Sequence, residues 1–337
     1  MFISQNNDML KNWIDWMKVI GMFTIIWGHC FPVLFSDFLY AFSVPLFFFI
    51  SGYLSRYEPN KGVFWKKIFQ RLLVPYLILS VLKAAPHLFS EDAPWSLLAI
   101  TTGFHTLHDV MGCGKLWFVY TLIIIKVIVQ FTGYSRKSRY VLFVVSLVVG
   151  MVCQSYYPDD MSWAVANTFL SLPWFLLGYE YKCLQWDTKL TDALQEKSVW
   201  LKGMLTLLLM ISLYGVSLLN GRVRMYEAGY GENIFLFLLG GAIGILAIRI
   251  ISDMLNSYRG SALSLLSIGT VVILAYHQDI NHPILKLIRQ QEWTPLLEDA
   301  ATFACSLVTL LVFVPINYVV SRYLPIIIGN RKYTPNK

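Results

Sequence analysis

Along the chain, stretches of roughly 20 mostly apolar residues, the length a helix needs to cross a bilayer, alternate with short breaks rich in charge, Pro, Asn and Gly. These runs lie near residues 14–35, 38–55, 70–88, 115–133, 139–156, 164–183, 199–219, 233–251, 262–280 and 299–321. The pattern predicts an all-α protein, a polytopic integral-membrane helical bundle of about ten transmembrane helices. The run at 38–55, built around Phe47-Phe48-Phe49-Ile50-Ser51-Gly52, is short and Gly-interrupted, and is expected to be the least regular. No repeat, low-complexity tract or appended soluble domain breaks the series. Residues 1–337 therefore read as one transmembrane domain with short tails at 1–12 and 322–337. The first run follows a polar leader, carries Asp15 and Lys18 and lacks a small-residue cleavage site, so it reads as a retained helix rather than a signal peptide.

Composition strengthens this reading. With 56% hydrophobic and 14% charged residues, the chain has too few polar groups to cover a soluble globule of 337 residues. The net charge of +7 does not imply a nucleic-acid partner, because basic residues gathered in loops on one membrane side explain it. One set of connections holds Lys11, Arg56, Lys61, Lys66, Lys67, Arg71, Arg136, Lys137, Arg139, Lys182, Lys189, Lys197, Lys202, Arg249, Arg259, Arg322, Arg331, Lys332 and Lys337. The alternate set holds only Lys83, Lys115, Arg222, Arg224, Lys286 and Arg289. This bias places both termini in the cytoplasm and the chain in the cell membrane, among lipids. The five cysteines are far apart, with no CxxC pair, and imply neither a disulfide framework nor a thiolate metal cluster.

Ionisable groups at membrane depth are costly and therefore mark function. Lys18 and His29 are eleven residues apart, which at 100° per residue sets them about 20° apart around one helix and roughly 16 Å apart along it. Asp15, three residues before Lys18, shares that face and can pair with the ammonium. On the orientation above, Lys18 lies toward the cytoplasm and His29 toward the outside. A histidine can take a proton from a hydroxyl and return it to a leaving group near neutral pH.

The stretch WIDWMKVIGMFTIIWGHC (13–30) resembles the first helix of the type-3 acyltransferase family, bacterial membrane enzymes that O-acylate surface sugars and polysaccharides. A basic residue, ten intervening residues and a histidine form that signature; here they are Lys18 and His29. FSVPLFFFISGYL (42–54), KKIFQRLLVPYLI (66–78), LWFVYTLI (116–123), PWFLLGY (173–179) and ILAYHQDI (273–280) resemble further family segments in the family's order. Lys18 replaces the commoner Arg, which removes a bidentate grip and leaves a point charge. The resemblance implies an O-acetyltransferase using acetyl-CoA, or another acyl-CoA, as co-substrate, with no permanently bound cofactor and no metal. The acceptor it implies is a sugar, glycolipid or polysaccharide. His29, Lys18 and Asp15 are the expected catalytic residues, His29 acting either as general base or as an acyl relay. Arg71, Lys67, Lys66 and Tyr76 are expected to bind the donor. Ser51, Gly52, Phe48, Trp117 and His277 are expected to line the site.

Three further features qualify this expectation. Ser51 lacks a GxSxG elbow, so a serine hydrolase is not implied. His105, His108, Asp109 and Cys113, in the longest connection, read either as a polar cap over the acceptor site or as a metal site without a defined ligand set. Gly240 and Gly244 read as a helix-packing pair. The rival reading of the whole chain is a polytopic secondary transporter or exporter of a sugar-related solute, against which stands the lack of an internal inverted repeat.

Overall fold

The computed structural model describes residues 12–89, 91, 93–102, 114–133, 135–156 and 164–330. Among these there is no strand, only an isolated bridge between Arg224 and Gly229. The helices are α1 (Asn12–Gly28), α2 (Ser36–Tyr53), α3 (Lys61–Ile68), α4 (Val74–Leu88), α5 (Ala93–Thr102), α6 (Trp117–Thr132) and α7 (Arg136–Tyr156). They continue as α8 (Ala164–Cys183), α9 (Trp186–Gln195), α10 (Val199–Asn220), α11 (Ile234–Met254), α12 (Ser261–Ile268), α13 (Thr270–Ile288) and α14 (Pro295–Tyr323).

All ten expected runs contain helix, although the first ends at Gly28; among the described residues seven helical stretches, one of them α3 and α4 taken together, are long and apolar enough to cross a membrane, or eight if the bent pair α12–α13 is one span. The expected runs outside this set include α1 and α8. α1 has only 17 residues and carries Asp15 and Lys18. α8 carries Asn167, Glu180 and Lys182. Both pack inside the bundle, where lipid does not demand apolar side chains. α1 touches α2, α11, α12, α13 and α14, while α8 packs against α2, α6 and α7. Asn167 is buried and donates to the Tyr226 carbonyl at 2.8 Å, while half-buried Glu180 pairs with Arg139 at 2.6 Å and half-buried Lys182 donates to the Tyr53 carbonyl at 3.0 Å. α7 and α10, by contrast, are apolar and largely unburied within the protein, as helices facing acyl chains should be.

The run expected to be least regular is a continuous helix, α2, with Pro45 inside it. Its glycine serves close approach rather than interruption. A Cβ on Gly52 would lie 1.8 Å from the Phe175 carbonyl oxygen, and one on Gly178 would lie 1.9 Å from that of Phe49. The two helices thus touch backbone to backbone, the small-residue packing that replaces hydrophobic drive in a membrane. In α11, Gly241 and Gly244 receive Trp174 and Phe42, each within 2.3 Å of a would-be Cβ, whereas Gly240 has more room.

The irregular elements lie elsewhere. Between α3 and α4, Phe69–Leu73 forms a π turn. Pro75 offers no N–H to the Arg71 carbonyl four residues earlier, and the wider turn accommodates that loss; such turns cluster at functional sites. α12 and α13 meet at 88°. At the corner, Gly269 leaves space for the Asn317 side chain, whose Nδ2 donates to the Leu265 carbonyl at 3.2 Å and satisfies the last turn of α12. The expected tail from residue 322 is also partly ordered. Pro325–Ile328 forms a 3₁₀ turn against α4, and Gly329, at φ +70°, presses on the Arg71 backbone.

Candidate active site

The face of α1 that carries Lys18 and His29 opens into a cavity of about 170 Å³. Its wall includes Lys18, His29, Ser51, Arg71, Lys115 and Trp117, with Ile328 contributed by the C-terminal turn. A wider, basic cavity of about 790 Å³ adjoins it at the Asp15 end of α1 and shares Lys18, Ser51 and Arg71 with it. Arg56, Lys67 and Lys126 also line this wider space. At the other end of α1 a third cavity of about 540 Å³ reaches His29 beside Phe31, His282, Leu285, Lys286, Arg289 and Gln290. His29 therefore lines both the cavity that reaches Lys18 and the third cavity at the far end of the first helix.

The chain turns just after Gly28, so His29 projects from the first residue past α1. Its Nδ1 lies 3.5 Å from the Tyr40 hydroxyl, which itself donates to the Gly28 carbonyl at 3.3 Å. The tautomer that directs Nδ1–H at the phenol oxygen is the one that leaves Nε2 its lone pair, as a general base requires. Tyr40 in turn lies under the Arg222 guanidinium, 5.3 Å from its ring centre, and Arg222 is tied to Asp37 at 3.1 Å and to Ser36. The turn after His29 is fixed by Asp299, which is 2% exposed and accepts the backbone N–H of Val33 at 2.5 Å and of Leu34 at 2.8 Å. Phe31, at φ 51°, takes the left-handed conformation within that turn.

At the opposite end, Lys18 Nζ lies 3.4 Å from Asp15 Oδ1 and 3.2 Å from Ser267 Oγ, while the serine hydroxyl donates to the same carboxylate oxygen at 2.5 Å. Ser267 comes from the last turn of α12, next to the 88° corner. The three side chains close a compact polar network across α1 and α12. Lys67, also expected at the donor site, is paired with Glu58 at 2.5 Å and holds that loop carboxyl below its usual range. Arg71 sits on the π turn with its guanidinium exposed toward the basic cavity; among the described residues it has no carboxylate partner. Lys126 reaches into the same space, 2.5 Å from the Ser55 hydroxyl and over the Phe175 ring.

The remaining residues singled out from the sequence lie outside these walls. Lys66 is exposed and lines none of the three cavities. Tyr76 is 1% exposed and donates its hydroxyl to the Ile100 carbonyl at 2.7 Å, tying α4 to α5 rather than facing a donor. Gly52 is the α2–α8 contact described above. Phe48 is fully buried and stacks on Phe118 and Trp117, behind the wall. His277 lines none of these three cavities; it is fully buried on α13 with its ring centre 5.1 Å from that of His29. His105, His108, Asp109 and Cys113 lie outside the described residues.

Several participants were not apparent from the sequence. Tyr40 reaches the site from α2, eleven residues on, and Lys115, Lys126, Ser267 and Arg289 reach it from far along the chain; all but Lys126 look like ordinary interfacial or loop residues in the sequence. Lys126 carried the one available signal, a charge inside an apolar run.

A bundle of membrane-competent helices with one histidine lining two cavities is the setting of an embedded enzyme or a carrier, and a comparison with known families decides between them. A family model described as an acyltransferase domain matches residues 11–194, more than half of the chain. The chain belongs to the type-3 acyltransferase family. Searches of curated proteins and of solved structures give no match. The matched region contains Asp15, Lys18, His29, Tyr40, Ser51, Arg71 and Trp117; Ser267, His277 and Arg289 lie beyond it.

Proposed function

We propose that this protein moves an acetyl group from cytoplasmic acetyl-CoA to a hydroxyl of an extracytoplasmic sugar or polysaccharide. In this reading ten helices span the bacterial inner membrane with both termini in the cytoplasm. The observation that carries it is the placement of His29 between the cavity lined by Lys18 and Arg71 and the separate space beside Arg289. Donor and acceptor approach the same imidazole from opposite ends.

The basic cavity suits the phosphates of CoA: Arg71 and Lys126 supply positive charge, and Lys18 stands where the pantetheine arm would pass inward. His29 Nε2 takes the proton of the acceptor hydroxyl as its oxygen bonds to the thioester carbonyl carbon. The carbon–sulfur bond then breaks, and the CoA sulfur leaves with the proton held by the imidazolium. Lys18, fixed by Asp15 and Ser267, acts as a point charge on the donor. Direct transfer is preferred to an acyl-histidine relay because both substrates can occupy their spaces at once.

General base catalysis contributes roughly 10²–10⁴-fold in rate, so purified His29→Ala protein, inserted and folded at normal levels, should lose nearly all transfer of label from radiolabelled acetyl-CoA to glycan. Parental rates in that variant would remove the assignment. A transporter would release neither CoA nor labelled glycan.

A further inference from the structure

The six basic residues on the expected external side are distributed unevenly. Lys83 is paired with Asp279 at 2.6 Å, Arg222 with Asp37 at 3.1 Å and Arg224 with Glu227 at 3.5 Å. The other three, Lys115, Lys286 and Arg289, all line the two cavities that touch His29. Topology does not call for them there, since positive residues are disfavoured on that side. Lys286 and Arg289 share the outer vestibule with His282. Spaced i, i+4 and i+7, the three form one stripe along α13. No carboxylate lines the vestibule among the described residues, and Asp299, beneath it, has both oxygens committed to the backbone of the turn.

The vestibule is also built around His29 rather than merely near it. Arg289 donates to the Cys30 carbonyl at 3.4 Å, and its guanidinium lies 5.9 Å from the centre of the Phe31 ring. It is thereby held by the two residues that follow the proposed base. Phe31, 42% exposed on its left-handed turn, presents a flat apolar face at the rim.

We propose that the acceptor is an anionic sugar, bearing a carboxylate or a phosphate, that rests a ring face on Phe31, places its acidic group on Arg289 and Lys286, and turns a hydroxyl toward His29. This rests on the acyltransferase reading above and narrows it to a substrate class. Arginine suits the task because its planar fork matches both carboxylate and phosphate oxygens.

The test begins with membranes of cells with and without the gene, given radiolabelled acetyl-CoA, and with separation of the labelled glycan by anion exchange. Gene-dependent label is expected in the retained, acidic fraction. Carbodiimide reduction of that acceptor to its neutral alcohol should abolish labelling if the anion is a carboxylate; phosphate removal with hydrofluoric acid should abolish it if the anion is a phosphate. With the acidic acceptor, purified Arg289→Gln and Lys286→Gln proteins should each raise the acceptor KM about tenfold or more without a matching rise in the acetyl-CoA KM, and Arg289→Lys should recover part of the loss. Gene-dependent label in the neutral fraction, or an unchanged acceptor KM in both glutamine variants, overturns the anionic acceptor while leaving the acyltransferase in place. Absence of any gene-dependent label removes the acyltransferase reading itself, and the proposed acceptor with it.

Discussion

The rings of His29 and His277 lie 5.1 Å apart, tilted by 35°. His277 is fully buried, and its Nδ1–H donates to the Ile273 carbonyl at 2.9 Å, while Nε2 has no hydrogen-bond partner among the described residues. A buried polar atom without a partner calls for a reason, and a ring packed beside that of His29 would limit how far the imidazole can rotate. We therefore regard His277 as a positioning residue.

Replacing His277 by Ala should leave His29 with a void beside it. Displacement of about 1 Å in a reacting group costs up to about 100-fold in rate, so kcat should fall by roughly 10- to 100-fold with acetyl-CoA KM little changed. His277→Phe restores the packing without the nitrogen atoms and should recover most of kcat. Steady-state kinetics on both variants, with the pH profile of kcat for each, separates this from loss of fold. A His277→Phe protein as slow as His277→Ala would give the imidazole nitrogens a role of their own.

Tyr40 contacts the same ring at its edge, through Nδ1. Loss of one hydrogen bond of ordinary net strength, about 0.5–1.5 kcal/mol, corresponds to roughly a 2- to 10-fold effect, so Tyr40→Phe should lower kcat within that range and leave both KM values alone. A rate equal to that of the parent would show that Nδ1–H is held in another way.

The site was legible in the sequence only where local geometry determines it. Lys18 and His29 share a face because helix periodicity alone puts residues i and i+11 together, and both line one cavity. Arg71 was reached only through the resemblance of segment 66–78 to the family. The partners that orient these residues are tertiary: Tyr40 reaches His29 from α2, Ser267 reaches Lys18 across some 250 positions of sequence, and Arg289 arrives from the end of α13. Hydropathy marked α7, α10 and α14 well because they face lipid. It was a poorer measure of α1 and α8, which are enclosed by protein and keep polar side chains. The 88° corner at Gly269 was hidden because the apolar run continues unbroken across it; the bend depends on Asn317, from another helix.

The α2–α8 contact gives a stability prediction with an internal control. Gly52→Ala places a methyl group where the Phe175 carbonyl oxygen lies, 1.8 Å from the ideal Cβ, and neither backbone can yield without separating the helices. Overpacking of this kind costs about 1–3 kcal/mol or more. Gly203→Ala, on lipid-facing α10, meets nothing within 4 Å and should be neutral or slightly stabilising, as alanine is the better helix former. Thermal unfolding in detergent, followed by loss of the monodisperse peak in size-exclusion chromatography, should show a lower transition for Gly52→Ala alone.

Arg71 and Gly329 form a second coupled pair. A Cβ at Gly329 would come within 2.9 Å of Arg71 Cα, and φ +70° already disfavours any side chain there. Gly329→Ala should push the C-terminal turn away from the π turn and disturb the aim of the Arg71 guanidinium. Hydrogen bonds to charged groups are worth about 1.5–3 kcal/mol, so Arg71→Gln should raise acetyl-CoA KM by roughly 10- to 150-fold, and Gly329→Ala should move it in the same direction by less. Titration calorimetry with CoA checks both; unaltered affinity in Arg71→Gln would remove Arg71 from the donor site.

The Asp15–Lys18–Ser267 network distinguishes a structural charge from a working one. Lys18 is 16% exposed in its side chain and Asp15 34%, so the pair lies between the surface case, worth about 0–1 kcal/mol, and the buried case, where breaking one partner costs about 3–5 kcal/mol. Asp15→Asn alone leaves the ammonium with weaker compensation and should destabilise the protein by about 1–2 kcal/mol. Lys18→Met alone leaves the carboxylate in the same position, with Ser267 still donating to it. The double variant Asp15→Asn/Lys18→Met removes both charges and should be more stable than Asp15→Asn alone, because no uncompensated charge remains near membrane depth. Activity should not follow stability: if Lys18 acts on the donor, the double variant regains its unfolding transition but stays as slow as Lys18→Met. Recovery of turnover along with stability would show that the lysine does no more than hold α1 to α12.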